Sequence, residues 1–539
     1  MQINLFGDVE PASMPVTTAA MQIGVSVATI HNWVKTGYLI VTPTGLIRED
    51  SVHAFLNHVA GNEKLNARAN KLLKDEHNHF ALTENISQSI RSEKYNDNLW
   101  QEYENSLSES FRNKEGIYYT PSEIVEDMMK SVEDVEDKTF LDPCCGGGNF
   151  MIQALNKGIS PQNIYGFDTD NNAVEITGKR IFEKTGYKSP NIICADFLEV
   201  GKIQKQKFDY IFTNPPWGKK IEKSKKDRYA SIFDAGKSTD TSSLFFFVCL
   251  QLLNHNGKLG FLFPEAFFNI STFEDARKKA ISLNIKRFID YGKAFKGLLT
   301  KAQAIILQNS ETQENISCET NQISHFRSAR SFQKTPKHIF NFWANAETSE
   351  VIEHIYSIPH VTLENNAKWG LGIVTGNNNK MCTSEKTDGC TPIYRGQDIT
   401  ANGLKQPALY ISNDLSKCQQ VAPIELYQSK EKLIYRFISN KLVFFCDTEQ
   451  RYILNSANML ILNDKFEISG NQLAGLLNSD LMNWLFQEIF HTHKVLRGDL
   501  ELLPLHINYF SENKIFNEDD FLNYLQIEKI KNGTYRIKR

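Results

Sequence analysis

Positive charge is in no excess in this chain of 539 residues: 60 Lys and Arg stand against 63 Asp and Glu, a formal net charge of -3. No overall positive field exists to attract nucleic acid, so such a partner has to be met by local basic patches. Cysteine is sparse. Apart from the adjacent Cys144 and Cys145, the nine cysteines stand alone and none forms a C-x-x-C pair. That pattern argues against a structural zinc or other metal site and against a disulfide framework, and points to a reducing cytoplasm. Nowhere do the ~18 consecutive apolar residues of a membrane helix occur, so no membrane partner is expected. The opening stretch "MQINLFGDVE" lacks a basic segment followed by an apolar core, and no secretory signal is expected from it. There is no internal repeat and no low-complexity segment.

What is present is a globular composition, 41% hydrophobic and 23% charged, on a chain too long for one ordinary core. Four regions differ in texture. Residues 1–59 contain a compact helical pattern, and residues 60–110 are polar and charge-rich, reading as a helical linker. Residues 111–325 alternate short apolar runs with helical stretches, the pattern of a parallel α/β sheet. Residues 326–539 are mixed α+β, with "KLIYRFISNKLVFFC" reading as strands and "NQLAGLLNSDLMNWLFQEIF" as one long helix.

Within the third region, chemistry gathers at successive strand ends. "KTFLDPCCGGGNF" (138–150) is an apolar strand, a turn with three glycines, then a helix beginning near Phe150. Glycines there let the backbone approach a ligand, and the helix start favours an anionic group. The spacing is neither G-x-G-x-x-G nor a P-loop. "NIYGFDTDNN" is a second strand ending on Asp168, placed to accept both hydroxyls of a ribose. "PNIICADFL" is a third, ending on Asp196, which can accept from an exocyclic amine such as that of adenine. Together they describe a nucleoside-bearing ligand with a small charged end and no phosphate requirement.

The fourth strand, "FDYIFTNPPWG" (208–218), ends unusually. Asn214 can accept through its side-chain oxygen. Pro215 and Pro216 have no backbone N–H, so the turn offers carbonyls and withholds donors. Trp217 supplies a broad apolar face. The set is complementary to a planar, conjugated amine whose nitrogen lone pair is delocalised into a ring. Two acceptors, the Asn214 oxygen and the Pro215 carbonyl, can draw both amine hydrogens out of plane and localise that pair, catalysis by position rather than by a strong base.

This order of motifs resembles the S-adenosylmethionine-dependent amino-methyltransferases, in particular the gamma class of DNA adenine-N6 methyltransferases. The family's loop reads roughly D-P-x-C-G-x-G-x-F against "DPCCGGGNF" here, with Cys144 where alanine is usual. The resemblance implies a Rossmann-like class I methyltransferase sheet and S-adenosyl-L-methionine as cofactor. It places Asp142, Pro143, Cys145, Gly146, Gly148 and Phe150 around the methionine end, Asp168 on the ribose, and Asp196 with Phe197 at the adenine. "GIYYTPSEIVEDMM" resembles the segment packing over the methionine end, carried by Tyr119, Thr120 and Pro121. "AFKGLLTKAQAIIL" resembles the segment whose leading aromatic, Phe295, faces Trp217 across the target base. The implied reaction is sequence-specific methylation of adenine N6 in double-stranded DNA, in a prokaryotic cytoplasm, protecting DNA within a restriction-modification system that has a separately encoded endonuclease. Extruding the base costs a few kcal/mol, and stacking between Trp217 and Phe295 repays about 1–3 kcal/mol.

Six of the ten residues in "KKIEKSKKDR" are basic, and Lys219, Lys220, Lys223, Lys225, Lys226 and Arg228 are candidates to clamp phosphates against the alternative of a solvated loop. "VTTAAMQIGVSVATIHNWVKTGYL" (16–39) reads as a helix-turn-helix, broken at Gly24, with Ser26 capping a second helix that carries Thr29, His31 and Asn32 outward. With "TGLIREDSVHAFL" it resembles a winged MerR- or excisionase-type domain. C-terminal stretches such as "WGLGIVTGNNNK" and "LLNSDLMNWLF" resemble target-recognition domains, in which Lys380, Arg395, Lys494 and Arg497 are candidate DNA contacts. An RNA or protein-glutamine methyltransferase uses the same Asn-Pro-Pro-aromatic site but is usually much shorter. A non-catalytic DNA-binding regulator is disfavoured by the intact Asp142, Asp168, Asn214 and Trp217. A fused nuclease is disfavoured because the N-terminal region shows no nuclease constellation.

Overall fold

The structure is a computed structural model. It describes residues 13–23, 27–35, 39–42, 45–52, 103, 118–295, 298, 300–311, 315–321, 323–464, 466–531 and 533–538. The backbone divides into two compact units: Met1–Asp127, Glu133–Val200 and Thr213–Ile221 in one, and Met128–Val132, Gly201–Phe212 and Glu222–Arg539 in the other.

The first unit opens with β1 (Ser13–Met14), α1 (Val16–Ile23), α2 (Val27–Lys35) and β2 (Ile47–Arg48), β1 pairing antiparallel with β2. Ala19, Ile30, Trp33, Leu39, Ile47 and Val52 close a small core between them. Two helices therefore stand within the stretch the sequence reads as helical, while the pairing of residues 13–14 with 47–48 is not among the sequence expectations. Gly24 and Ser26, on which the turn reading rests, lie outside the described residues, as does the 60–110 linker except Tyr103.

Further on, α3 (Ser122–Met128) precedes β3 (Phe140–Asp142), α4 (Asn149–Lys157), β4 (Ile164–Asp168), α5 (Asn171–Thr185) and β5 (Ile192–Cys194). The three strands pair in parallel, with Asp142 opposite Gly166 and Asp168 opposite Cys194. All three residues of β3 are buried, which matches an apolar run covered by helices on both faces. β5 is shorter than the sequence predicts. It ends on Cys194, and Asp196 is exposed beyond it, its Oδ1 accepting from the Leu198 N–H at 3.0 Å, so the aspartate caps the following turn.

In the second unit β6 (Phe208–Thr213), whose last residue alone belongs to the first, is followed by α6 (Lys223–Phe233), α7 (Thr241–Gln251), β7 (Leu253–Pro264), α8 (Glu274–Ile281), β8 (Asn284–Asp290), β9 (Ala302–Gln308), β10 (Asn315–Glu319) and β11 (Ser324–Ser328). Their order within a mixed sheet is β11-β10-β8-β9-β7-β6. The expectation of a parallel sheet is corrected here: β9 runs antiparallel to both β7 and β8. The segment between β8 and β9 is too short for a helical crossover. It reverses at Gly292 (φ 63°), whose carbonyl accepts from Ala302 N at 2.8 Å.

The C-terminal part holds β12 (Ala367–Leu371), β13 (Cys382–Thr383), β14 (Cys390–Tyr394), β15 (Leu409–Ser412), β16 (Lys432–Arg436), β17 (Phe444–Asp447), β18 (Tyr452–Ile453) and β19 (Ala457–Leu462). They form two four-stranded sheets, β12-β19-β16-β17 and β13-β15-β14-β18. Lys432 and Asp447 pair across β16 and β17 as a fully buried ion pair, Nζ to Oδ2 2.5 Å, and Arg451 reaches the other carboxylate oxygen at 2.7 Å. The predicted single helix after residue 470 is two, α9 (Gly470–Asn478) and α10 (Asp480–Phe490). Ser479 breaks it: its backbone is extended (ψ 153°) and its hydroxyl accepts from Met482 N at 3.1 Å, an N-cap that overrides the continuous apolar spacing.

Candidate active site

The site is built on the turn after β3. Asp142, 1% exposed, accepts through Oδ1 from both Cys144 N (3.1 Å) and the Thr213 hydroxyl (2.8 Å), which ties the end of β3 to the residue before Asn214. Gly146 (φ 48°) and Gly148 (φ 80°) take left-handed conformations. A Cβ on Gly146 would lie 3.0 Å from Tyr119 Cε1, and one on Gly148 2.8 Å from Thr177 Cγ2. At both positions the close approach needs glycine. The Thr177 hydroxyl donates to Gly146 O at 2.7 Å, and Arg180 donates to Gly147 O and to Asn149 Oδ1.

Asp168 reaches the same turn from β4: its Oδ2 accepts from Gly146 N (2.9 Å) and its Oδ1 from Asp170 N (2.9 Å). Burial pushes the Asp168 carboxyl up, opposed by these two backbone donors. Burial also raises Asp142, to about 7, against the Thr213 and Cys144 bonds. The Cys145 thiol lies well above its ordinary value, through burial first and then the two neighbouring carboxylates, so it stays neutral and unreactive.

Asn214 is the other pole. Its Nδ2 donates to the Tyr118 carbonyl at 2.7 Å, while its Oδ1 is buried with no hydrogen-bond partner among the described residues. Asn149 Nδ2 holds Thr120 O at 2.9 Å, so two asparagines clamp the Tyr118–Thr120 backbone over the glycine turn. These groups line a cavity of about 310 Å³, counting its open mouth.

Of the residues singled out in the sequence, Tyr119, Thr120, Asp142, Cys145, Gly146, Phe150 and Asn214 line that cavity. Tyr118, Cys144, Gly147 and Asn149 line it too and were missed. Asn149 stands directly after the three glycines, a position whose polar side chain was the available signal. Pro121, Pro143, Gly148 and Asp168 adjoin these residues in the chain or by hydrogen bonds without lining the cavity. Phe197 is buried, its ring centroid 5.0 Å from that of Phe167, and Asp196 is exposed outside the cavity lining. Pro215 is buried and Pro216 half-buried; Trp217 is 7% exposed, its ring 5.9 Å from that of Tyr118. Phe295 is buried in the return before β9.

The basic run is irregular through Glu222 and turns helical at Lys223, with Lys220, Lys223, Lys225 and Arg228 exposed and Lys219 and Lys226 half-buried. His31 is exposed on α2, and the side chains of Thr29 and Asn32 lie outside the described residues. Lys380 and Lys494 are exposed. Arg395 is tied to Asp398, Nε to Oδ2 3.1 Å, and Arg497 pairs with Glu501 at 2.8 Å and lies over the Trp369 ring.

This combination, a mixed sheet with a glycine turn and an Asn-Pro-Pro-Trp corner, defines a class of enzyme, and comparisons with known proteins agree. Residues 94–352 match the N-6 DNA Methylase family model, and residues 391–505 that of the TaqI-like C-terminal specificity domain. The type II methyltransferase M.VspI of Vibrio sp. (strain 343) is 48% identical over 400 residues, covering 74% of this chain and 98% of that protein. The modification methylase CviBIII of Paramecium bursaria Chlorella virus NC1A is 26% identical over 213 residues, 39% of this chain and 54% of its own. Among solved structures, the Type IIL restriction-modification enzyme MmeI in complex with DNA shares the fold, with a TM-score of 0.50 at 11% identity, over 75% of this chain and 70% of that one. The chain belongs to the restriction-modification DNA methyltransferases, with an N-6 DNA methylase region followed by a specificity domain.

Proposed function

We propose that this protein is a gamma-class, adenine-specific enzyme that methylates N6 of an adenine flipped out of double-stranded DNA, with S-adenosyl-L-methionine as methyl donor. The observation that carries the reading is the buried Asn214 oxygen without a partner among the described residues, beside a glycine turn held by the buried Asp142 and the half-buried Asp168. An orphaned buried acceptor costs about 1–3 kcal/mol, and a donor-bearing substrate removes that cost.

The residues present fit such a cofactor. The glycine turn lines the cavity with Asp142, Tyr119 and Thr120, which with the adjoining Pro121 would flank the methionine end, and Asp168, bonded to Gly146 N and Asp170 N, would offer its remaining lone pairs to a ribose. Asp196 and Phe197 serve the adenine end. The cofactor supplies an electrophilic methyl group on a sulfonium. Asn214 Oδ1 and the Pro215 carbonyl accept the two hydrogens of the target amine, which pulls its nitrogen toward pyramidal geometry and frees the lone pair for attack. Pro216 adds no competing donor. Trp217 and Phe295 hold the ring, and the proton lost from nitrogen passes to solvent.

Lys219, Lys220, Lys223, Lys225, Lys226 and Arg228 serve phosphates near the flipped base. Lys380, Lys494, Arg497 and Arg395 of the specificity region, and Thr29, His31 and Asn32 of a helix-turn-helix, extend the footprint. The biological role is protection of host DNA against a separately encoded endonuclease. Purified protein given methyl-labelled cofactor should label duplex DNA, with N6-methyladenine on digestion. Label on RNA or protein but never on DNA overturns the reading.

A further inference from the structure

Tyr103 is 2% exposed, and its hydroxyl donates to Asp170 Oδ2, 67 residues further along the chain. Asp170 is the N-cap of α5, its Oδ1 accepting from Asn172 N at 2.9 Å. Each oxygen of that carboxylate is therefore engaged, one by the helix it starts and the other by the phenol. Burial raises the Tyr103 hydroxyl well above its ordinary value, with the Asp170 charge next and the Asp168 charge a smaller contribution. The phenol thus stays protonated and remains a donor through the neutral range.

The phenol stands at the end of a short relay, and every member of it belongs to the first compact unit. Asp170 N donates to Asp168 Oδ1 and Gly146 N to Asp168 Oδ2, both at 2.9 Å. Gly146 O in turn accepts from the Thr177 hydroxyl of α5 at 2.7 Å. The two backbone donors fix the plane of the Asp168 carboxylate, so its remaining lone pairs have a set direction. One of those donors is on the residue that Tyr103 grips. A buried tyrosine whose hydroxyl finds a partner is ordinary. This one makes a charge-assisted bond, among the stronger kinds, to the residue that orients Asp168.

We propose that Tyr103 is a positioning residue for the cofactor's ribose, holding Asp168 through Asp170 in the orientation that accepts the two neighbouring hydroxyls. The assignment rests on the reading of Asp168 as the ribose acceptor. No bond is made or broken by Tyr103; it acts through the two carboxylates. Without its hydroxyl, Asp170 and the turn it starts are freer. Hydrogen bonds to the diol then lose part of their preorganisation, while contacts to the rest of the ligand are kept.

The test uses the full-length protein and two ligands, S-adenosylhomocysteine and an analogue lacking both ribose hydroxyls, with affinities from titration calorimetry. Wild type should bind the parent ligand at least about tenfold more tightly than the diol-free analogue, the scale of hydrogen bonds to a charged acceptor. Tyr103→Phe should cut that ratio to about threefold or less, while its affinity for the diol-free analogue stays within about twofold of wild type. Asp170→Ala takes away the phenol's partner and should narrow the ratio as well, and combining the two substitutions should narrow it no further. An unchanged ratio in Tyr103→Phe overturns the assignment and leaves the cofactor reading standing. Equal losses for both ligands overturn it too, because a merely structural anchor weakens them alike. Should Tyr103→Phe fail to melt cooperatively, Asp170→Ala decides, and a wild-type ratio there overturns the assignment. Wild type binding the two ligands equally, or neither, removes the underlying reading of Asp168 itself.

Discussion

Asn214 gives its amide N–H to the Tyr118 carbonyl, 96 residues away in sequence, and this one bond decides which way the amide faces. With Nδ2 so engaged at 2.7 Å, Oδ1 is the atom left for a substrate. The oxygen is pre-aimed, so no reorientation is needed when an amine arrives.

Asn214→Ala removes the acceptor and little else. Methyl transfer should fall by at least ~100-fold, the scale on which a pre-aimed polar group counts, while cofactor affinity by titration calorimetry stays within a few-fold. Asn214→Asp should also be poor, because a carboxylate oxygen would then face the Tyr118 carbonyl where a donor is required. Near-normal turnover in the alanine variant contradicts the assigned role.

Gly148→Ala tests the turn. Its φ of 80° and a Cβ 2.8 Å from Thr177 Cγ2 leave no relaxed place for a methyl group, and Thr177 is itself held by Gly146 O. A loss of about 1–3 kcal/mol in thermal or denaturant unfolding is expected, with weaker cofactor binding. Gly178→Ala in α5 is the control: nothing lies within 4 Å of its Cβ, so it should be neutral or stabilising by about 0.5–1 kcal/mol.

Asp142 gives a pH signature. Burial lifts its carboxyl to about 7, above the ordinary carboxylate value, so the folded protein binds the proton more tightly than the unfolded chain. That contribution is complete below about pH 4 and is lost as pH rises through about 7. Asn at this position still accepts from Thr213 and Cys144 through one oxygen, as Asp142 Oδ1 does. Without ligand, Asp142→Asn should therefore melt higher than wild type at pH 8.5 by about 2 °C or more, with the gap closing toward pH 5. A difference that does not change with pH shows that the carboxyl is not titrating in the fold.

Much of the site was legible because its chemistry is local. Three glycines after an apolar strand, and Asn-Pro-Pro-Trp after another, mean the same thing wherever the strands lie. Tyr118 and Asn149 were not legible: one contributes only a backbone carbonyl, and the other acts on Thr120 from across the turn. The direction of β9 was hidden because an apolar run reads alike in either sense, and the short return at Gly292 reverses it. The break at Ser479 was hidden by apolar spacing that continues in phase across the cap. Arg395 reads as a free cation until Asp398 is seen holding it.

By itself the sequence determined where backbone donors are withheld and where a side chain has no room, because proline carries no N–H and glycine no Cβ. Only the tertiary structure decided which polar atom is left without a partner. Whether the Asn214 oxygen is satisfied depends on Tyr118, brought to it by the fold from a distant part of the chain, and hydrogen bonds between such segments leave no trace in local sequence.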